Sequence, residues 1–251
     1  MSLVRSERRG DAAVVTYANP PFGTMTAAGA TEMHAAVLAA VEDPTVRCIV
    51  ITGGLPGIFI RHYDVSELAD MSEALAQPRG PAPAAEAPRA PGYLDLVDLI
   101  AAAPKPVIAA INGLCMGGGF ELTLYCDLRI AAPDVADIGL PETRIGIFPG
   151  GGGTQRLTRL IGVQAAMMAM SEGKPFRPND AKGAGIVHEI AEKGQSVEAA
   201  KTWIKNGGKA VQPWDDKSFK LPGGGPYHPA GIQNFLVGNA MIRKQTYGNY
   251  P

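Results

Sequence analysis

Apolar residues fall into two kinds of run along this chain, and the difference sets the fold class. Val14-Val15-Thr16-Tyr17 reads as a β-strand ended by Asn19-Pro20-Pro21, whereas Ala27 to Val41 carries Met33, Val37 and Val41 at helical spacing. Val46 to Thr52 (VRCIVIT) is a largely apolar, β-branched run closed by Gly53-Gly54, and Pro106 to Ile111 (PVIAAI) repeats that pattern ahead of Asn112-Gly113. Unbroken apolar runs mark strands buried on both faces. With helical stretches between them, at Val65 to Ala76 and Gly92 to Ala103, the pattern predicts an α/β chain of layered sheet and helix.

Two regions break the pattern. Gln77 to Gly92 holds five prolines in sixteen residues, which remove backbone donors and fix φ, so a mobile surface loop is expected there, either a plain insertion or a flap over a pocket. Beyond residue 200, Gly207-Gly208, Pro213, Pro222-Gly223-Gly224-Gly225-Pro226 and Pro229 interrupt any long element before a final helical stretch, Ala230 to Tyr247. The expected organisation is therefore a core over 4–200 and a partly helical appendage over 201–251.

Composition narrows the partners. With 46% apolar residues in 251 the chain buries a large core. Its 23 basic and 24 acidic side chains nearly cancel, so no overall field points to nucleic acid, and no apolar run approaches the ~20 residues needed to span a bilayer. A small-molecule partner is expected. Cys48, Cys115 and Cys126 lie in apolar runs without metal-ligand spacing and read as reduced packing residues. The opening Met1-Ser2-Leu3 is too short and uncharged for a targeting segment, so a cytoplasmic protein is expected.

The chemistry concentrates in two glycine-rich strings. Asn112-Gly113-Leu114-Cys115-Met116-Gly117-Gly118-Gly119-Phe120-Glu121-Leu122 follows directly on the buried strand ending at Ile111. A helix starting near Gly118 would point its unpartnered first amides, and the positive end of its dipole, at an anion or oxyanion, with Glu121 one turn in on the same face. A phosphate loop would want Lys-Ser/Thr after the last glycine, and Phe120-Glu121 stands there instead. Further on, Ile138-Gly139-Leu140-Pro141-Glu142-Thr143 precedes Gly146-Ile147-Phe148-Pro149 and the run Gly150 to Gly153. Glu142 alone reads as a solvated turn residue. A second glutamate beside a glycine turn in an apolar setting suggests an acid/base pair whose pKa values are pulled apart by their surroundings. His34, His188 and His228 lack a nucleophile or metal constellation, and no Gly-x-Gly-x-x-Gly unit follows a strand, so no nicotinamide cofactor is expected.

The strings NGLCMGGGFEL, IGLPETRIGIFPGGGGTQRLTRLIG and ITGG with its following Phe-x-x-x-x-Asp loop resemble the enoyl-CoA hydratase (crotonase) family over roughly residues 10 to 190. That resemblance implies a spiral of ββα units, a homotrimer or hexamer, and an acyl-CoA substrate whose coenzyme A is the sole cofactor-like group. It also implies roles. Gly118 and Tyr63 would each supply an oxyanion amide, Glu121 would deprotonate water and Glu142 would protonate the α-carbon; Tyr63, Asp64, Val65, Ser66, Gly117, Gly118 and Pro141 would line the thioester and coenzyme A. Both glutamates point to hydration of a 2-enoyl-CoA, with a Δ3,Δ2-isomerase using Glu142 alone, another reaction of the family, or a silent CoA-binding protein as alternatives. Where the family usually has Ala-Gly-Ala-Asp after the Phe, this chain reads Ile60-Arg61-His62-Tyr63-Asp64 after Phe59. His62 replaces a glycine, so if that residue must adopt φ > 0 the loop either stores strain of order 1 to 3 kcal/mol or takes another shape. Arg61 and His62 read as solvated loop charges, with contact to CoA phosphates as the alternative. Pro213 to Gly224 and Lys244 to Pro251 resemble the stretch joining hydratase and dehydrogenase regions in multifunctional fatty-acid oxidation proteins.

Overall fold

A computed structural model describes residues 2–76, 89–245 and 247–248. Most of the proline-rich segment, residues 77–88, lies outside the described residues, as do 246 and 249–251 of the tail. The chain opens with β1 (Val4–Arg9), β2 (Ala12–Tyr17) and α1 (Ala27–Glu42). Three turns of a spiral follow. The first is β3 (Cys48–Gly53), β4 (Ile58–Ile60), α2 (Val65–Ala76) and α3 (Tyr93–Ala102); the second is β5 (Val107–Ile111), β6 (Leu114–Met116) and α4 (Gly118–Tyr125). The third is β7 (Leu128–Ala131), β8 (Ile138–Gly139), a 3-10 turn over Glu142–Ile145, α5 (Gly153–Ile161) and α6 (Val163–Glu172). Then come α7 (Pro178–Gly183), β9 (Glu189–Ile190), α8 (Ser196–Lys205), a second 3-10 turn over Pro213–Asp215 and α9 (Pro229–Gln245).

The first strand of each turn joins one six-stranded sheet, ordered β1-β2-β3-β5-β7-β9, and the second joins a three-stranded sheet, β4-β6-β8. Apart from the β1–β2 hairpin the pairing is parallel. Alternation along the larger sheet explains the unbroken apolar runs. Ile49, Ile51, Val107, Ala109 and Ile111 face a core shared with α1, α3 and α4, while Cys48, Val50, Ile108 and Ala110 face a second core closed by Val197 and Ala200 of α8. Both faces are covered, so no polar alternation is called for. The expected core boundary at residue 200 falls inside α8. All three cysteines are buried thiols.

The two sheets fix where α4 starts. Cys115 and Met116 of β6 register with Ile138 and Gly139 of β8, and the Gly117 amide extends that ladder by donating to Gly139 O at 2.8 Å. Gly119 lets the helix lie on β4: a Cβ there would sit 2.1 Å from Ile60 O, an impossible contact. At the other end the fully buried Arg129 guanidinium donates to Thr123 O and Cys126 O, adding to the bonds these carbonyls accept from the Cys126 amide and Gln212 Nε2, and to Ile186 O. Among the described residues no helix is long and apolar enough to cross a membrane.

Candidate active site

The site forms where β6 and β8 end side by side. Gly117, with φ +52° and ψ −132°, turns the chain from β6 into α4, a conformation that side-chain-bearing residues rarely adopt. The amides of Gly118, Gly119 and Phe120 then lie in the first turn, ahead of the first helical bond, Glu121 N to Gly117 O. Glu121 points inward and is only 4% exposed. One turn after β8, Glu142 enters the same space at 8% exposure. Its Oε1 lies 3.3 Å from the point a Cβ on Gly117 would occupy. Parallel strand pairing, not sequence proximity, has brought the two carboxyls together.

Their surroundings differ. Glu121 Oε1 accepts from the Gly153 amide at 2.7 Å. Burial raises its pKa, and the Gly153 and Gly151 amides oppose that rise. Glu142 has less support: burial, opposed by its own backbone amide and reinforced by the Glu121 charge, pushes it from 4.5 up to about 7. Its Oε2 is buried with no hydrogen-bond partner among the described residues. One carboxyl is thus held in place by a backbone donor, and the other is free to carry a proton near neutrality.

Of the two alternatives at His62, the segment after β4 avoids the positive φ rather than storing strain. Arg61 N donates to Gly23 O at 2.9 Å, Met25 N to His62 O at 2.8 Å and Asp64 N to Met25 O at 2.7 Å, so Tyr63 is bridged in parallel to Met25. Among the described non-glycine residues only Tyr247 has a positive φ; His62 sits in ordinary extended backbone, because pairing with residues 23–25 holds the segment straight. In this parallel bridge Met25 spends both its N–H and its C=O on the residues flanking Tyr63, so the amide of Tyr63 faces away from Met25. The Tyr63 N–H is therefore turned toward α4, where its nitrogen is 3.4 Å from the position of a Cβ on Gly118. His62 is half-buried rather than a solvated charge. Its Cβ is 3.2 Å from the Cβ position of Gly117 and its Nδ1 is 2.7 Å from Tyr63 O, whereas Arg61 is exposed.

Tyr63, Gly117, Gly118, Glu121 and Glu142 are accordingly neighbours. Pro141 stands at the start of the 3-10 turn that carries Glu142. Asp64 commits its carboxylate to the start of α2, accepting from Ser66 N at 3.0 Å and Thr24 Oγ1 at 3.1 Å, and leaves Val65 and Ser66 exposed. Two features carry no sequence signal of their own. Gly153 was visible only as part of a glycine run, and Tyr93, whose hydroxyl donates to Gly118 O at 2.6 Å, reads from the sequence as an ordinary helix start.

Residues 7–212 match the family model described as Enoyl-CoA hydratase/isomerase. The glyoxysomal fatty acid beta-oxidation multifunctional protein MFP-a of Brassica napus is 33% identical over 217 residues, covering 84% of this chain and 28% of that protein. Human mitochondrial methylglutaconyl-CoA hydratase is 41% identical over 165 residues, 66% of this chain and 45% of that one. A crystal structure of enoyl-CoA hydratase from Bacillus anthracis superposes with a TM-score of 0.69 at 28% identity, over 81% of this chain and 76% of the other. The chain spans between a quarter and a half of the length of these two curated relatives.

Proposed function

The chain belongs to the enoyl-CoA hydratase/isomerase family, and from that premise we propose that it hydrates a 2-enoyl-CoA to a 3-hydroxyacyl-CoA. The observation that carries the reading is the unlike pair: a buried Glu121 held by the Gly153 amide, facing a buried Glu142 near neutrality with an unpartnered oxygen. In this scheme the Glu121 carboxylate takes a proton from water as the water oxygen bonds to the β-carbon. The displaced electron pair moves onto the thioester oxygen, where the Tyr63 and Gly118 amides receive it. Glu142, protonated, then delivers its proton to the α-carbon as the enolate collapses. Return of a proton from Glu121 to Glu142 restores the start, so one water is added and nothing is oxidised. No cofactor beyond the substrate's own coenzyme A is required. Preorganised amide donors of this kind are typically worth about 3 to 4 kcal/mol each to such a step.

The second reading, migration of a double bond by Glu142 alone, is favoured by the unpartnered Glu142 oxygen and leaves Glu121 without a role. Loss of conjugated enoyl thioester absorbance with crotonyl-CoA and a medium-chain 2-enoyl-CoA tests hydration, and gain of that absorbance from a 3-enoyl-CoA tests migration. Hydration abolished by Glu121→Gln and by Glu142→Gln supports the proposal; conjugation of the 3-enoyl-CoA at an undiminished rate by Glu121→Gln, with no hydration by wild type, points to isomerisation, and a folded wild type inert on both 2-enoyl substrates sinks hydration. The homotrimer or hexamer implied by the family would place the exposed Ile145, Phe148 and Leu236 against partners, and sedimentation of the purified protein measures it.

A further inference from the structure

Three contacts of Tyr93 fall on the parts of the site that must agree with one another. Its hydroxyl donates to Gly118 O at 2.6 Å. Its ring meets the Tyr63 ring edge to face, at a centroid distance of 5.8 Å and an interplanar angle of 85°. Its Cε1 lies 2.8 Å from the point a Cβ on Gly151 would occupy, and Glu121 Oε2 lies 2.6 Å from that same point. One side chain thus touches the first turn of α4, the amide-bearing segment after β4, and the loop that grips the Glu121 carboxylate.

Helix α3 is built to aim it. Tyr93 is the first residue of the helix, where Asp95 Oδ2 accepts from the Gly92 amide at 2.7 Å and from Arg89 Nη1 at 2.7 Å. Leu96, Val97 and Ile100 bury the inward face and fix the helix axis. A tyrosine anchored by its backbone, its ring and its hydroxyl has little rotational freedom left.

We infer that Tyr93 is a positioning residue for the oxyanion site, holding the first turn of α4 against the Tyr63 segment so that the Gly118 and Tyr63 amides converge on one oxygen. The identity of that oxygen, a thioester enolate, rests on the reading above; the convergence does not. Two donors must both point at a single atom, and an error on the order of 1 Å removes most of the benefit. The bond to Gly118 O also polarises the peptide that carries the Gly119 amide, strengthening the donors of the first turn. Burial, and after it the Glu121 charge, push the phenol's pKa well up, so it stays a donor throughout the range in which the glutamates titrate.

Acetoacetyl-CoA tests this without asking for turnover, because its enolate absorbs where its keto form does not. The purified chain and Tyr93→Phe are titrated with it, and with coenzyme A alone as control. The expected result is enolate binding weakened about tenfold, the worth of one ordinary hydrogen bond, with coenzyme A binding unchanged. Turnover should show the same split, a lower kcat at a KM within about twofold. Equal enolate affinity in the two proteins, or an equal loss for both ligands, overturns the inference. Wild type that binds the enolate yet hydrates nothing would refute the hydration reading and leave the Tyr93 comparison decisive. Wild type that raises no enolate absorbance would overturn the inference together with the oxyanion site. Should thermal unfolding show the phenylalanine variant misfolded, Tyr93→Met fills the space without a donor and carries the same expectation.

Discussion

Glu142→Gln should make this protein more stable, relative to wild type, the higher the pH. Burial raises the Glu142 pKa from 4.5 to about 7 in the folded chain. A raised carboxyl binds its proton more tightly when folded, so between these values the native state holds more protons than the unfolded chain and stability falls as pH rises. The loss is complete above about pH 7 and absent below about pH 4.5. At about 1.36 kcal/mol per pH unit, the interval corresponds to a ceiling of about 3 kcal/mol. Glutamine cannot ionise and escapes that penalty. Its amide brings costs of its own, since Oε2 of the native residue has no partner and an unpaired buried N–H costs about 1 to 3 kcal/mol. Those costs do not depend on pH, so they cancel when the difference between variant and wild type is compared at two pH values. Urea unfolding of both proteins at pH 4.5 and pH 8 measures it. The expected change in the difference is about 2 to 3 kcal/mol in favour of glutamine at the higher pH; a difference that stays constant would refute the claim that desolvation holds Glu142 near neutrality. The same substitution should abolish hydration, so stability and activity move in opposite directions, as expected for a site that pays for its chemistry in folding energy.

Other outcomes follow from the same geometry. The pH–rate profile should be bell-shaped: activity falls as pH rises through about 7, where Glu142 loses the proton it donates, and falls on the acid side below the raised pKa of Glu121, which must be ionised to accept one. Because the two charges interact, the limbs belong to the pair. Gly118→Ala should lower kcat by roughly 100-fold or more with the fold retained, since the new Cβ would meet Tyr63 Cβ at 3.2 Å and push the two amides apart; stopped turnover with unchanged circular dichroism is the readout. Arg129→Met should cost about 1 to 3 kcal/mol in denaturant unfolding, because it takes the side-chain donor from Ile186 O and leaves Thr123 O with only the Cys126 amide and Cys126 O with only Gln212 Nε2.

Much of this was legible one segment at a time. VRCIVIT and PVIAAI read as two-sided strands because both faces of the large sheet are covered, a property that continuous apolar runs record directly. Val65 to Ala76 matched α2 residue for residue, and the three glycines ahead of Phe120 marked the turn into α4. Which of the two courses the chain takes at His62, strain or another shape, was not legible locally, because the backbone there is held by hydrogen bonds to Gly23 and Met25, far away along the chain.

By itself, then, the sequence determined three of the strands and several of the helices, where glycine permits a turn or a close approach, and which two carboxylates were candidates, because these depend on local propensity, steric freedom and the period of apolar residues. Only the tertiary structure decided that Glu121 and Glu142 share a space, through the pairing of Met116 with Gly139; that Gly153 gives Glu121 its amide; and that Tyr93 arrives from another helix to touch Gly118. Strand register, burial and the desolvation that sets a pKa are products of contacts between distant segments, and no local pattern carries them.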